Sequence, residues 1–221
     1  MQTEHAPRAV LWDMDGTLLD SAEYHWLAWQ ATMAGEQFDL TYAQFVASFG
    51  QRNDTILRGW LGAGLAEHEI ARIGAAKEQR YRELVRDRGV VLLPGVERWL
   101  RRLQAGGWRQ AIASAAPRLN VAAILDTLQI GPFFDAITSA EDVQHGKPDP
   151  QVFLLAAARV ATPPARCIVV EDAPAGIEGA HRGGMRAIGV RSAHSDLRAD
   201  IVVGTLAELD DDAFERLLAG Q

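Results

Sequence analysis

The stretch Ala9-Val10-Leu11-Trp12-Asp13-Met14-Asp15-Gly16-Thr17 decides the fold of this 221-residue chain, because an apolar run ends there in two carboxylates and a glycine. Four consecutive apolar residues predict a buried β-strand over residues 9–12. Side chains i and i+2 of an extended segment project to the same face, so Asp13 and Asp15 are expected to reach into one pocket. Gly16 allows a tight turn that brings backbone N–H groups close to an oxyanion.

An Asp-x-Asp-Gly sequence also opens calcium-binding loops of the EF-hand type, but this chain does not fit them. Such a loop needs a bidentate Glu at its twelfth position, which counted from Asp13 is Tyr24. It also follows a helix, whereas the run before Asp13 is typical of a strand. The stretch therefore indicates a strand end whose carboxylates can hold a cation and attack phosphorus.

Three further segments place polar side chains at strand ends or in loops. They are Ser114 after the run 110–113, Lys147 in the loop 146–150, and Glu171-Asp172 after the run 167–170. Each has a plain structural explanation when taken alone: a serine can cap a helix, a loop lysine can be solvated, and an acidic pair can cap the helix ahead of Pro174. Together, a hydroxyl, an ammonium and carboxylates suit a phosphate and its counter-ion.

The four segments together resemble the haloacid dehalogenase superfamily of phosphotransferases, and the resemblance covers nearly the whole chain. Residues 21–29 are similar to the branch that contains β-phosphoglucomutase and sugar-phosphate phosphatases. The resemblance implies an α/β fold, with a Rossmann-like three-layer core around a parallel sheet and a small α-helical cap domain inserted after the first strand. The expected domains are residues 1–20 with 92–221 for the catalytic core, and residues 21–91 for the cap.

The apolar pattern along the chain predicts an α/β core as well. Four apolar runs alternate with longer amphipathic stretches, at residues 9–12, 110–113, 167–170 and 187–190. Between the first strand and Pro94-Gly95 the pattern predicts only helices, and the charge run within 66–88 is interpreted as a solvated face. Further helices are predicted at 96–105 and from Asp149-Pro150 to about Val160.

Composition and charge exclude several classes of protein. A hydrophobic content of 48% suits one globular enzyme, and a net charge of −7 argues against a nucleic-acid partner. The sequence has no run of about 18 apolar residues, which a membrane helix would require. The polar residues 1–8 lack the apolar core of a signal peptide, so the cytoplasm is the expected compartment. The single cysteine, Cys167, is interpreted as core filler. A monomer is expected, and oligomers are left open.

The resemblance also implies roles for the core residues. Asp13 attacks phosphorus and becomes an aspartyl phosphate, while Asp15 protonates the leaving oxygen and then activates the acceptor. Ser114 and Lys147 are expected to hold the phosphoryl oxygens. Mg²⁺ is the expected cofactor, because clustered carboxylates repel a phosphate dianion. Its expected ligands are Asp13, Asp172, the main-chain carbonyl of Asp15, and Glu171 directly or through water.

Substrate contacts are expected from both parts of the chain, and the partner is expected to be a small phosphorylated metabolite. In the cap, the resemblance points to His25 and Arg52, although a packed histidine and a surface arginine fit the sequence equally well. In the core, the expected substrate-binding residues are Gly16, Thr17 and Ala115.

Phosphatases and phosphomutases of this branch share the core residues, so the acceptor must be inferred from departures. Ala116 and Pro117 stand where the mutase pattern has a further Ser and Lys, and Ser48 stands where a phosphate-gripping Lys aligns in the cap. Fewer cationic contacts weaken the grip on a second phosphate. The sequence therefore favours a Mg²⁺-dependent sugar-phosphate phosphatase. The alternatives are a β-phosphoglucomutase-type phosphomutase and a non-catalytic phosphate-binding module.

Overall fold

A parallel sheet forms the centre of the molecule in the computed structural model, which describes residues 6–49, 51–192 and 194–220. The strands are β1 (Ala9–Trp12), β2 (Arg109–Ala113), β3 (Ala136–Thr138), β4 (Cys167–Glu171), β5 (Arg186–Val190) and β6 (Ile201–Val203). They pair in the order β3-β2-β1-β4-β5-β6, and each of these pairings is parallel. The predicted α/β class with a parallel sheet is confirmed.

The register of the sheet brings the carboxyl ends of its central strands to one edge. Trp12, the last residue of β1, pairs with Ile112 of β2 and with Val170 of β4. The chain leaves β1 toward β2 and β3 and later returns to β4 on the other side, which opens a crevice beyond β1. Asp13 and Glu171 therefore leave the sheet next to each other.

The edge strands β3 and β6 are absent from the sequence-based prediction. Each has three residues, and most of these residues are only partly buried. Such short strands carry no continuous apolar run, so their sequence does not distinguish them from loops.

The described ranges contain nine helices of seven or more residues. They are α1 (Ala22–Gly35), α2 (Tyr42–Ser48), α3 (Asn53–Leu61), α4 (Glu67–Arg88), α5 (Val96–Ala105), α6 (Arg118–Leu128), α7 (Gln151–Arg159), α8 (Pro174–Arg182) and α9 (Ala213–Ala219). Single turns of 3₁₀ helix lie at Gly131–Phe133, Ala140–Asp142, Pro164–Arg166 and Leu206–Glu208. Helix α5 has the bounds that the apolar spacing predicts.

Alternate residues of β1 pack against helices on opposite faces of the sheet. Val10 and Trp12 belong to an apolar cluster with residues of α5, α6 and α9. Ala9 and Leu11 belong to a second cluster with residues of α7 and α8. The period-two alternation of a strand thus places one helical layer on each face, and the three-layer core is confirmed.

Helices α1 to α4, here called the helical insert (residues 22–88), have an apolar cluster of their own. Its members include Trp29, Met33, Phe45, Leu57 and Ile73. A separate apolar cluster supports a cap domain. The exact domain boundaries stay predictions, and the predicted catalytic core includes residues 1–5 and 221, which lie outside the described residues. In the ranges that the structure describes, no helix is long and apolar enough to cross a bilayer.

Candidate active site

A tight turn after β1 holds Asp13 at the edge of the sheet. The Asp13 N–H donates to the Val170 carbonyl at 3.0 Å, which extends the pairing of β1 with β4. Gly16 has a φ of +83°, and its N–H donates to the Leu19 carbonyl at 2.8 Å, so this N–H closes the turn instead of facing an oxyanion. A Cβ at Gly16 would lie 2.1 Å from Asp172 Oδ2. Glycine is therefore required for the two acidic loops to meet.

Lys147 lies between Asp13 and Glu171. Its Nζ donates to Asp13 Oδ1 at 2.5 Å and to Glu171 Oε1 at 2.6 Å. Glu171 Oε2 accepts the N–H of Ala173 at 2.7 Å, which fixes the carboxylate. Burial opposes the charge on Lys147, but the two carboxylates raise its pKa above the ordinary value. The lysine is therefore held as an ammonium beside Asp13.

Asp13, Glu171 and Asp172 form a buried acidic cluster in which ligand oxygens lie within 4.8 Å of one another. Burial raises the pKa of Asp13 well above its ordinary value, with Lys147 opposing the shift and Glu171 and Asp172 adding to it. Burial and the charge on Glu171 raise the pKa of Asp172 to about 7. The cluster holds three carboxylates, and the Lys147 ammonium contacts only Asp13 and Glu171. Because one positive charge does not balance three carboxylates, the cluster fits a divalent cation with oxygen ligands.

Ser114 leaves β2 at the same edge of the sheet. Its N–H donates to the Thr138 carbonyl at 3.0 Å, and its Oγ accepts the N–H of Ala116 at 3.0 Å. The side chain is 1% exposed, so the local backbone holds the hydroxyl in one place.

Arg52 brings the helical insert to the loop that carries Lys147. Arg52, Ser114, Ala115 and Lys147 line one small pocket. A Cβ on Gly146 would lie 3.3 Å from Arg52 Cδ, which shows how closely the arginine stem approaches the loop. The structure therefore brings these four predicted site residues together.

Three donors surround one oxygen of Asp15. Its Oδ1 accepts from Ser21 Oγ at 2.5 Å and from the Tyr81 hydroxyl at 3.4 Å, and lies 3.4 Å from His25 Nε2. Burial raises the pKa of Asp15, but the bonds from His25 and Ser21 and the charge on Lys77 outweigh burial and lower the pKa below its ordinary value. The surroundings thus favour an ionised carboxylate.

His25 points into the site from α1. Its ring stacks on Tyr81 with a centroid separation of 4.2 Å, and its Nδ1 lies 2.8 Å from Lys77 Nζ. Because an ammonium can only donate, Nδ1 accepts this bond and Nε2 carries the hydrogen that faces Asp15. Burial and the Lys77 charge lower the pKa of His25, which agrees with a neutral ring.

Lys77 and Glu78 of α4 belong to the site, although the sequence analysis did not identify them. Their exposed fractions are 2% and 6%, so the interpretation of the α4 charges as a solvated face is wrong for these two residues. Lys77 Nζ donates to Glu78 Oε1 at 2.8 Å. The spacing carries a signal, because Lys77 lies four residues after Ile73 and four before Tyr81, on the apolar side of the helix.

Gly16 and Thr17 line a different cavity from the pocket of Ser114 and Arg52. This cavity has a volume of about 460 Å³, and its wall also includes Tyr42, Phe49 and Ser192. Thr17 is fully buried, and its Oγ1 has no hydrogen-bond partner among the residues that the structure describes. The predicted substrate-binding residues thus lie in three places: Gly16 and Thr17 line this cavity, Arg52 and Ala115 line the small pocket, and His25 lies beside Asp15.

Comparison with known proteins shows which family the chain resembles. Residues 7–184 match the family model of the haloacid dehalogenase-like hydrolases. The chain is 34% identical to a β-phosphoglucomutase of Bacillus subtilis over 212 residues, which cover 91% of each protein. It is 30% identical to the fructose-1-phosphate phosphatase YqaB of Escherichia coli over 186 residues, which cover 82% of this chain and 95% of the relative.

A solved structure agrees with these relatives. The crystal structure of a β-phosphoglucomutase from Clostridium difficile superimposes with a TM-score of 0.86 and 26% sequence identity. The match covers 97% of this chain and 98% of that protein, so the sheet, the helices around it and the helical insert all have counterparts there.

Proposed function

Because the chain belongs to the haloacid dehalogenase-like hydrolases, we propose that it is a Mg²⁺-dependent phosphatase that hydrolyses a small phosphate monoester, a sugar phosphate, through a phosphoaspartate at Asp13. The observation that carries the proposal is the meeting of Lys147 with Asp13 and Glu171 in one buried acidic cluster. Such a cluster suits a phosphoryl group, whose charge must be neutralised during transfer.

Mg²⁺ would be held by the side chains of Asp13 and Asp172, by the main-chain carbonyl of Asp15, and by Glu171 directly or through water. When bound, a divalent ion neutralises the negative charge of the phosphoryl oxygens. Two observations support this assignment: the carboxylates outnumber the ammonium in the cluster, and the pKa of Asp13 is raised by burial and by its acidic neighbours.

Asp13 is proposed as the nucleophile. One of its carboxylate oxygens bonds to phosphorus while the ester P–O bond breaks, and Asp15 gives its proton to the departing sugar oxygen. Water then attacks the phosphorus of the phosphoaspartate while the P–O bond to Asp13 breaks, Asp15 takes a proton from this water, and free phosphate leaves. Lys147 and Ser114 hold the phosphoryl oxygens in both steps.

The hydrogen bonds of Asp15 suit the exchange of a proton at one oxygen. All the side-chain bonds found for this carboxylate among the described residues fall on Oδ1, which leaves Oδ2 for the reacting oxygen. As an acid, Asp15 carries its proton on Oδ2; as a base, it receives the proton of water there. The lowered pKa favours the base form.

The start of α6 supports hydrolysis rather than transfer to a second hydroxyl. Ala116 and Pro117 offer no side-chain donors there. The Arg118 N–H donates to both carboxylate oxygens of Glu141, at 3.1 and 3.0 Å, and Arg118 Nη2 donates to Asp142 Oδ2 at 2.5 Å. These carboxylates occupy donors that a second phosphate would need.

A β-phosphoglucomutase-type phosphomutase is the second candidate function, because the relatives named for that activity align over almost the whole chain. The protein is to be incubated with Mg²⁺ and a panel of hexose and pentose phosphates, and both free phosphate and isomerised sugar phosphate are to be measured. Free phosphate without isomer is the expected result. Isomer without free phosphate contradicts the phosphatase proposal, and neither product across the panel supports a non-catalytic module.

A further inference from the structure

We propose that Asn120 is a positioning residue for Asp15, on which it acts through three side chains of the helical insert: Glu78, Lys77 and His25. The inference rests on the proposed function, because it concerns the proton transfer assigned to Asp15. Asn120 lies on α6, outside the insert, so the connection crosses from one part of the molecule to the other.

The side-chain amide of Asn120 bridges two opposite charges of α4. Asn120 is fully buried; its Nδ2 donates to Glu78 Oε2 at 2.5 Å, and its Oδ1 accepts from Arg82 Nη1 at 3.0 Å. An amide has a donor at one end and an acceptor at the other, and both ends are used here. An aspartate of the same shape would set a carboxylate against Glu78. The position therefore depends on amide chemistry and not on shape alone.

Glu78 connects Asn120 to Lys77. Its Oε1 accepts from Lys77 Nζ at 2.8 Å and from Asn53 Nδ2 at 2.7 Å. The Lys77 side chain is 2% exposed, so its charge depends on this carboxylate, because an unpaired buried charge is costly. A shift of Glu78 therefore displaces the ammonium or removes its counter-charge.

Lys77 determines which ring nitrogen of His25 carries the hydrogen, and so whether His25 can donate to Asp15. While Lys77 Nζ donates to Nδ1 at 2.8 Å, the ring hydrogen lies on Nε2, which is 3.4 Å from Asp15 Oδ1. Without the ammonium, Nδ1 can carry the hydrogen, and Nε2 then turns a lone pair toward the carboxylate. A disturbance at Asn120 thus reaches the acid and base through consecutive hydrogen bonds.

Stability alone does not account for this network. Apolar residues of similar volume hold buried surfaces together as well as a buried ion pair does. The network instead runs from a fully buried amide on α6 to a carboxylate at the mouth of the crevice, whose side chain is 22% exposed. Its members lie on α6, α4 and α1, so the acid is aligned only when these helices are docked together.

The test compares the variant Asn120→Asp with the double variant Asn120→Asp/Glu78→Gln. The single change sets two carboxylates against each other. The double change exchanges amide and carboxylate between α6 and α4, so the net charge returns to that of the wild type and every donor again faces an acceptor. The counter-charge of Lys77 then lies at position 120 instead of position 78, which is farther from the ammonium. Gln79→Glu is the matched control, because it adds the same charge on the exposed side of α4.

The readout is kcat/KM for a sugar phosphate that the wild type hydrolyses and for p-nitrophenyl phosphate, whose leaving group needs no proton. For Asn120→Asp we expect a loss of about 10- to 100-fold on the sugar phosphate and less than about 3-fold on the aryl ester. The double variant should be at least about 3-fold more active than Asn120→Asp on the sugar phosphate, but should stay below the wild type, because Lys77 has lost its direct carboxylate partner. The control should match the wild type on both esters.

Equal losses of Asn120→Asp on both esters, or a double variant no more active than the single one, would overturn the inference. Circular dichroism and thermal melting show whether the variants fold. If Asn120→Asp does not fold, Arg82→Met, which removes the donor to Asn120 Oδ1, must show the same preferential loss on the sugar phosphate, and equal losses there overturn the inference. Failure of the wild type to release phosphate from either ester contradicts the proposed function instead.

Discussion

Asp13 Oδ1 lies 2.5 Å from Lys147 Nζ, in a cluster with two other carboxylates. The balance of these charges determines the ionisation and the reactivity of Asp13. Asn in place of Asp13 keeps the size of the side chain and removes the nucleophilic oxygen. We expect phosphate release to fall by on the order of 10³-fold or more. Stability without Mg²⁺ should not fall, because the raised pKa of Asp13 means that its ionised form is unfavourable in the folded protein.

Mass spectrometry of acid-quenched turnover mixtures checks this expectation. The wild type should gain the mass of one phosphoryl group on the peptide that contains Asp13, and Asp13→Asn should gain none. Asp126→Asn, at an exposed position of α6, is the control for loss of a carboxylate. Ordinary turnover by Asp13→Asn would remove the nucleophile from the mechanism.

Alanine substitutions at Gly16 and at Gly107 distinguish the effect of backbone strain from that of a steric clash. A Cβ at Gly16 would lie 2.1 Å from Asp172 Oδ2, whereas a Cβ at Gly107 would meet nothing within 4 Å. Both glycines have positive φ, +83° and +73°, so Ala should cost each about 1 kcal/mol of unfolding free energy through the backbone. Only Gly16→Ala should also displace Asp172, and we expect it to lose activity by at least about 10-fold while Gly107→Ala stays near the wild type. Similar activities in the two variants would contradict the close approach.

At the scale of elements, we expect the start of α6 to determine whether a ligand with a second phosphate group can bind. The Glu141 carboxylate accepts the Arg118 N–H there, and Ala140 beside it lines the pocket of Ser114. Removing this carboxylate with Glu141→Ala frees a helix N-terminus for an anion. We expect the inhibition constant of a sugar bisphosphate to fall by about 10-fold, the value of one charge-assisted contact, with inhibition by inorganic phosphate unchanged. Equal changes for both inhibitors would mean that Glu141 does not face the second phosphate.

The sequence predicts those parts of the site that each strand positions by itself. Asp13 and Glu171 could be placed together because each directly follows a strand, and parallel strands end at one edge. Lys77 could not be assigned a partner, since its contact with His25 depends on how α4 packs on α1, and apolar spacing gives only the side of a helix that is buried. The strands β3 and β6 were missed because three partly buried residues give no periodic signal.

At the scale of the whole molecule, folding without a cation brings three carboxylates together in a chain whose net charge is −7. Burial and the Glu171 charge raise the pKa of Asp172 from 3.8 to about 7. A carboxyl group with a raised pKa contributes stability that is fully present below its unfolded pKa and is lost as the pH rises through its folded pKa. We therefore expect the metal-free wild type to lose stability relative to Asp172→Asn as the pH rises from about 4 to about 7.

Mg²⁺ should reverse this loss, because it binds the folded protein through the ionised cluster and not the unfolded chain. Thermal melting with and without Mg²⁺ measures the effect independently of activity. At pH values above the folded pKa of Asp172, we expect the ion to raise Tm by several degrees. Near pH 4 we expect a much smaller increase in Tm. The increment should disappear in Asp172→Asn, which lacks one of the proposed ligands. An increment that is the same at both pH values, or that persists in the variant, would place the ion outside the cluster of Asp13, Glu171 and Asp172.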